Sequence, residues 1–318
     1  MKRFILIDGN ALMHRAYHAM PPLTTSNGEL INAVYGFTSM LLKIFHDLHP
    51  ECVACAFDMK APTFRNLEFV DYKAKRPKMD EELVSQIGRI HEVVKTLNIP
   101  IFEVEGFEAD DVIATLAEQA KGNGVETIIV TGDRDALQLV DDKHTLVYCP
   151  LKGLSNPVLY DEKKVVDKYG LKPNQIADYK ALAGDASDNY PGVKGIGPKT
   201  ATELLQKYQT IDNMYQHIDE FENKKLAKLL AENIDFVRKC QRLATAVRDV
   251  PITLHLDECN INDYDYDKAS RLFAELEFRT LAKKLPGHEE NQSAVSSRQS
   301  AEKKSKEAKN SKNQLGLF

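Results

Sequence analysis

Ile99-Pro100-Ile101-Phe102-Glu103-Val104-Glu105-Gly106-Phe107-Glu108-Ala109-Asp110-Asp111 decides how the chain is read. An apolar, strand-like run leads to a glycine, and beyond it Val112, Ile113, Leu116, Ala117 and Ala120 recur at helical spacing. Glu108, Asp110 and Asp111 crowd the junction. At about 100° per residue Glu108 and Asp111 lie roughly 60° apart on a helix, so they are expected to share a face with Asp110 nearby. The helix macrodipole alone can account for acids in a first turn. Whether the cluster carries chemistry therefore depends on the other strand ends.

Working outward, Phe4-Ile5-Leu6-Ile7 reads as a buried parallel strand followed by Asp8-Gly9-Asn10, with a helix over Ala11 to Met20. A long amphipathic helix spans Ala33 to Leu48, and the apolar run Glu51 to Phe57 ends on Asp58. A helix with Leu83, Ile87, Ile90, Val94 and Leu97 on one face follows Asp80 as N-cap. Thr127 to Val130 is a further strand, leading through Thr131-Gly132 into Asp133 and Asp135. His144 to Tyr148 and Val158 to Tyr160 suggest a hairpin around Lys152-Gly153, followed by helices from Asp161 to Tyr169 and from Pro173 to Ala183. Asp185 and Asp188 then fall in a turn-rich stretch.

Open parallel sheets bind ligands at the carboxyl ends of their strands. Asp8, Asp58, Glu108, Asp110, Asp111, Asp133, Asp135, Asp185 and Asp188 are therefore expected to converge in one cleft. They cannot all remain ionised there without cations. Oxygen-only ligands select hard ions, Mg²⁺ or Mn²⁺. Two such ions imply hydrolysis of a phosphodiester. A phosphatase with a nucleophilic Asp-x-Asp after the first strand fits less well, because Asp8-Gly9-Asn10 lacks the second acid. His14 and His18 resemble half a zinc site without a third ligand. Cys52 and Cys55 stand inside a strand and read as core residues.

The chain has 318 residues, enough for one large or two small domains. No apolar run approaches a membrane span, and the four apolar residues before Asp8 are too few for a signal peptide. A cytoplasmic, nucleoid-associated protein is expected, and the five cysteines suggest no disulfide framework. The net charge of −5 disfavours nucleic acid at first sight, but it becomes +4 once the nine clustered acids are set aside. Six basic residues against two acids stand between Lys60 and Lys78, with Phe64, Phe69 and Tyr72 among them. Aromatics among cations can stack bases while the cations meet phosphates.

Gly192-Val193-Lys194-Gly195-Ile196-Gly197-Pro198-Lys199-Thr200 is not preceded by a strand, so it reads as a helix-hairpin-helix and not as a dinucleotide fingerprint. Its glycines expose backbone N–H groups, and a helix opening near Pro198 adds its positive end for a phosphate. Helical regions at Lys224 to Ala246 and Tyr266 to Lys283 complete the fold. Beyond Pro286 the composition becomes polar, giving a disordered linker over 287–313. Residues 314–318, with Gln314, Leu315, Leu317 and Phe318, form an apolar end suited to docking.

FILIDGNALMHRAYHA, AFDMKAPTFR, DYKAKRP, GFEADDVIATLA, TGDRDALQLV and GDASDNYPGVKGIGPKTA, in this order, resemble the 5′→3′ exonuclease domain of bacterial DNA polymerase I, of the flap endonuclease class. The resemblance covers about residues 3–285. It implies a PIN-like, Rossmann-like α/β domain over 1–185 with a mainly parallel sheet and a helical arch at about 60–98. A helix-hairpin-helix and helical DNA-binding region over 186–286 would follow. By the same resemblance Asp8, Asp58, Glu108 and Asp110 surround a first metal, and Asp133, Asp135 and Asp188 a second, while Asp111 and Asp185 resemble additional acids of the bacterial branch. Tyr72, Lys73 and Arg76 resemble arch residues that meet the scissile phosphate, with Arg15 and Arg65 as further phosphate contacts. The hairpin with Gly192, Val193, Gly195, Gly197, Lys199 and Thr200 resembles a duplex grip holding K⁺.

The implied activity is structure-selective 5′ cleavage of DNA flaps and RNA primers during Okazaki-fragment processing and repair. The chain is too short for a polymerase and is expected to act as a stand-alone, monomeric nuclease. Its last five residues resemble a peptide for the bacterial sliding clamp. The alternatives are a non-catalytic DNA-binding clamp adaptor and a nuclease acting on structured RNA.

Overall fold

Short runs of branched and small apolar residues form one six-stranded sheet: β1 Arg3–Asp8, β2 Cys52–Ala56, β3 Ile101–Phe102, β4 Glu126–Val130, β5 Thr145–Pro150 and β6 Pro157–Tyr160. The computed structural model describes residues 2–150 and 157–287. The expected linker beyond Gly287, the docking peptide Gln314 to Phe318 and the turn at Lys152-Gly153 lie outside the described residues. Strand order is β3-β2-β1-β4-β5-β6, with every neighbouring pair parallel except β5 and β6.

Parallel neighbours require crossovers, which this chain makes largely with helices. These begin with α1 Gly9–Ala19, α2 Asn32–Leu48, α3 Phe64–Glu68, α4 Glu81–Thr96 and α5 Ala109–Gly122. After the sheet come α6 Glu162–Tyr169, α7 Ile176–Ala183, α8 Pro198–Tyr208, α9 Ile211–Gln216, α10 Lys224–Glu232, α11 Ile234–Ala244, α12 Tyr266–Glu275 and α13 Arg279–Ala282.

Strand side chains alternate between faces. Ile5, Ile7, Val53, Cys55 and Val130 pack towards α1, α2, α4 and α12, whereas Phe4, Leu6, Cys52, Ala54 and Ile129 pack towards α5. Cys52 and Cys55 therefore enter opposite layers, and both are buried free thiols. A third apolar cluster joins α7, α8 and α11 around Leu182, Leu205 and Val237. Gly9 has a specific reason to be glycine: a Cβ there would lie 2.4 Å from the Phe57 ring. No helix among the described residues is long and apolar enough to cross a membrane.

The structure departs from the sequence expectation in three elements. The third strand, expected from Ile99, shrinks to Ile101–Phe102, an edge strand paired only with β2. The helical region expected over Lys224 to Ala246 breaks at Asn233, whose side-chain amide donates to the Leu229 carbonyl at 2.8 Å and ends α10. The last region breaks at Glu277, which adopts φ +58° and turns Phe278 into the core at 1% exposure.

Strands β2 and β3 lie on one side of β1 and β4 on the other. The crevice between the carboxyl ends of β1 and β4 is thus the switch point at which such sheets bind ligands.

Candidate active site

Acids from four strand ends reach that crevice. Asp8 closes β1 and caps α1, its carboxylate accepting from the Ala11 amide at 2.9 Å and the Thr131 hydroxyl at 2.6 Å. Asp58, two residues beyond β2, accepts from the Ala109 amide at 2.7 Å and the Asn10 side-chain amide at 2.8 Å. Glu108 is the N-cap of α5 and Asp110 lies in its first turn. Asp133 follows β4, its amide donating to the Thr131 hydroxyl at 2.9 Å. These five carboxylates line one cavity of about 150 Å³ together with Asn10 and His14.

The electrostatics are unfavourable to full ionisation. Burial pushes Asp8 up to about 6; the hydrogen bonds from Ala11 and Thr131 oppose this, and the charges of Asp58 and Asp133 add to it. Burial, then the like charges of Asp133 and Asp8, hold Asp110 well above the usual carboxylate range against the pull of Lys73.

A second group stands alongside. Asp135, Asp185 and Asp188 each offer an oxygen within 4.8 Å of the other two. The Lys180 ammonium of α7 bridges Asp135 and Asp185. Burial raises the Asp185 pKa, but Lys180 and hydrogen bonds from Ser187 outweigh it and leave the carboxyl below its ordinary value.

Tyr72 ties the two groups together. Its hydroxyl lies 3.0 Å from Glu108 Oε2 and 3.2 Å from Asp188 Oδ2. Lys73 Nζ donates to Glu108 Oε2 at 2.9 Å, and the Lys73 amide, at φ +56°, donates to the Asp188 carbonyl at 2.9 Å. Arg76 donates to Asp188 Oδ1 at 2.9 Å. These three are the residues by which the expected arch reaches the carboxylates. Its second half, α4, buries Leu83, Ile90 and Val93 in the core. At 3% exposure Tyr72 also offers no ring face for stacking in this conformation.

Two assignments need correction. Asp111 is fully buried, and its carboxylate accepts from both terminal nitrogens of Arg65 at 2.6 and 2.7 Å, the Glu108 amide at 3.1 Å and the Val247 amide at 2.8 Å. Its oxygens are saturated, so it belongs to neither carboxylate group and is not placed to hold a metal. Arg65 is 3% exposed and also donates to the carbonyls of Leu243 and Thr245, so it is a structural cation and not a phosphate contact. Lys180, Asn10 and Thr131 carry roles that the sequence reading did not give them.

The glycine string forms the turn between α7 and α8. Gly192, at φ +64°, packs so closely that a Cβ would lie 2.2 Å from the Gly184 amide nitrogen, and Gly195 sits at φ +100°. Val193 and Ile196 are buried beneath the turn. Gly197 caps α8 without a side-chain bond, leaving Lys199 exposed and Thr200 half-buried in the first turn. Arg15 is half-buried on α1.

A mainly parallel sheet with acids at its switch point, joined to a glycine-hairpin helical region, defines the PIN-like, resolvase-like class of nuclease folds. The family model "5′-3′ exonuclease, N-terminal resolvase-like domain" matches residues 3–170, and "5′-3′ exonuclease, C-terminal SAM fold" matches residues 171–267. The chain belongs to the 5′-3′ exonuclease family.

It is 41% identical over 286 residues to DNA polymerase I of Caldicellulosiruptor bescii, covering 89% of this chain and 33% of that protein. Against DNA polymerase I of Bacillus subtilis it is 39% identical over 284 residues, covering 89% and 32%. The chain thus spans about a third of the length of these relatives. Among solved structures, the bacteriophage T5 flap endonuclease in complex with DNA and metal ions matches with TM-score 0.64 and 17% identity, over 91% of this chain and 98% of that one. The catalytic core of Rad2 with DNA substrate matches with TM-score 0.53 and 17% identity, over 92% and 91%. At these identities the likeness carries the fold.

Proposed function

We propose that the chain is a metal-dependent, structure-selective 5′ nuclease that hydrolyses phosphodiesters in 5′ flaps and RNA primers. The observation that supports this best is the gathering of eight carboxylates into two adjacent groups, tied by Tyr72 and flanked by Lys73 and Arg76. The donor set is all oxygen, which fits Mg²⁺ or Mn²⁺. The raised pKa values of Asp8 and Asp110 mark a site short of positive charge. Asp8, Asp58, Glu108, Asp110 and Asp133 would hold one ion, and Asp135, Asp185 and Asp188 another, once the flexible Lys180 stem leaves its bridge.

When bound, such ions supply a nucleophile at neutral pH and charge stabilisation for the phosphodiester transition state. Lys73 and Arg76 turn from Glu108 and Asp188 to the phosphate oxygens and neutralise them. Their forked and ammonium donors suit a non-bridging oxygen each. The hairpin and the first turn of α8 would hold a duplex phosphate through backbone N–H groups, and the turn from Gly192 to Gly197 would hold a K⁺ that adds positive charge there. Selectivity then comes from shape and a free 5′ end, because phosphate contacts carry no base information. In this reading the chain works as a cytoplasmic monomer at the nucleoid, and Gln314, Leu315, Leu317 and Phe318 dock on a sliding clamp.

Duplexes with labelled DNA or RNA 5′ flaps, incubated with Mg²⁺, Mn²⁺ or chelator, test the activity. Cleavage of both flaps with metal and of neither with chelator is expected. Binding without turnover under every metal would replace the nuclease by an adaptor, and cleavage confined to structured RNA would replace the substrate class. Clamp affinity of the chain with and without residues 314–318 tests the docking; equal affinities would remove it.

A further inference from the structure

The segment that leads through Phe107 to the N-cap Glu108 also walls a second recess, of about 590 Å³, which shares no lining residue with the carboxylate cavity. Phe64, the first residue of α3, meets Phe107 edge to face with ring centroids 6.2 Å apart. Phe107 and Val247 pack against the sheet core and also line the recess. Arg238 and Arg242, one turn apart on α11, bring two guanidinium groups to this apolar lining, and the Arg242 guanidinium carbon lies 5.9 Å from the Phe64 ring centroid. Their partners, Asp212 at 2.5 Å and Glu68 at 2.8 Å, are not among the lining residues. Asp249 adds a carboxylate, which leaves the lining with more positive than negative charge.

We infer that this recess binds a free nucleoside monophosphate, the class of product an exonuclease releases; the source of the ligand, though not its fit, rests on the nuclease reading above. Shape is the first reason. The volume falls within the roughly 300–1,000 Å³ of small-molecule sites, and unpaired bases stack on aromatic rings and on guanidinium planes, both of which the lining supplies. Asp249 offers an acceptor to the amino group of a base. Charge is the second reason. A phosphate monoester carries close to two negative charges at neutral pH, and guanidinium forks meet it two hydrogen bonds at a time. Availability is the third. The Arg242 side chain is 67% exposed and that of Asp212, the partner of Arg238, 68%. Exposed pairs contribute little, so both guanidiniums can turn to a phosphate at small cost. A duplex phosphate could meet the same cations but would leave the aromatic lining empty, because its bases are paired. The occupant would also touch the frame of the active site. The Thr245 carbonyl accepts from Arg65, the Val247 amide donates to Asp111, and the Phe64 amide donates to the Gly106 carbonyl at 3.1 Å.

Equilibrium dialysis of the full chain against labelled deoxyadenosine monophosphate tests the site without requiring cleavage. Chelator is present throughout, so that no metal draws the phosphate to the carboxylates. A dissociation constant on the order of 10–100 μM is expected from the affinity per atom usual for ligands of this size. Deoxyadenosine and inorganic phosphate should each bind at least about tenfold more weakly, the usual effect of losing a charged contact or a stacked base. Arg242→Ala removes one guanidinium, and Thr245→Trp fills the recess from an exposed position. Each should weaken deoxyadenosine monophosphate at least about tenfold, with the unfolding midpoint of Arg242→Ala unchanged in the absence of nucleotide. No saturable binding by wild type would overturn the site and leave the recess to a protein partner. Nucleotide held no better than deoxyadenosine, or affinity fully retained in Arg242→Ala, would overturn it as well. Wild-type binding lost in both variants upholds the site even in a protein that cleaves no flap; that protein would lose the nuclease reading and the ligand's source, but not the site.

Discussion

At the scale of single residues, Asp8 and Asp111 show how two buried carboxylates serve different ends. Asp8 is buried among like charges, which lifts its pKa to about 6 from 3.8. A carboxyl whose folded pKa is raised binds more protons in the native than in the unfolded state between those values, so stability falls as pH rises through about 4 to 6 and the penalty is complete above it. Asp8→Asn, which keeps an acceptor for the Ala11 amide and presents its NH₂ to the Thr131 hydroxyl oxygen, should stabilise the chelated protein at pH 7 by up to about 3 kcal/mol and flatten its stability over that window. Denaturant titrations at pH 4 and pH 7 in chelator measure this; a variant no more stable than wild type at pH 7 would contradict it. Asp111 presents the opposite case, a buried charge fully paired by Arg65. Arg65→Ala leaves it unpaired, and a loss of about 3–5 kcal/mol in unfolding free energy is expected. Unchanged stability with weakened DNA binding would restore Arg65 to the phosphate contacts.

At the scale of elements, the strands and the acids that follow them were legible because buried parallel strands are short apolar runs and charged residues end them. The role of Asp111 was not. Helical periodicity alone puts Glu108 on the helix, whereas Glu108 is the extended N-cap at ψ 159° and Asp111, three residues on, reaches back to its amide. That N-cap and N3 spacing was the available signal; the partner Arg65, 46 residues earlier, left none. Lys180 was equally hidden, since only packing of α7 brings it between Asp135 and Asp185. The glycine string was legible as a turn, and its left-handed positions make it testable. Gly195→Ala puts a Cβ at φ +100°, where only Leu229 Cδ2 lies near at 3.6 Å, so the chain should fold with a loss of about 1–2 kcal/mol. Its affinity should fall by similar factors for duplexes of unrelated sequence. Fluorescence anisotropy on two such duplexes measures this, and a loss confined to one sequence would argue against a phosphate grip.

At the scale of the whole molecule, the two carboxylate groups come from different parts of the chain. Asp8, Asp58, Glu108, Asp110 and Asp133 are fixed by the sheet, whereas the second group joins Asp135, which also follows β4, to Asp185 and Asp188, which follow α7 at the start of the hairpin turn. Tyr72 and Lys73 bond to both, so the site is complete only when the sheet, the segment before α4 and the helical region are assembled together. One substitution isolates the chemistry from this assembly. Asp110 lies between Asp8 and Asp133 in the electrostatics of the cavity and anchors no hydrogen bond named above, so Asp110→Asn should fold and bind duplex as wild type does. The decisive measurement is the single-turnover rate of 5′-flap cleavage in Mg²⁺ for wild type and Asp110→Asn, with duplex affinity measured in parallel. Cleavage by wild type and a fall of at least about a hundredfold in the variant, at equal affinity, is the expected result. Equal cleavage rates, or no cleavage by wild type, would contradict the assignment of these carboxylates to phosphodiester hydrolysis.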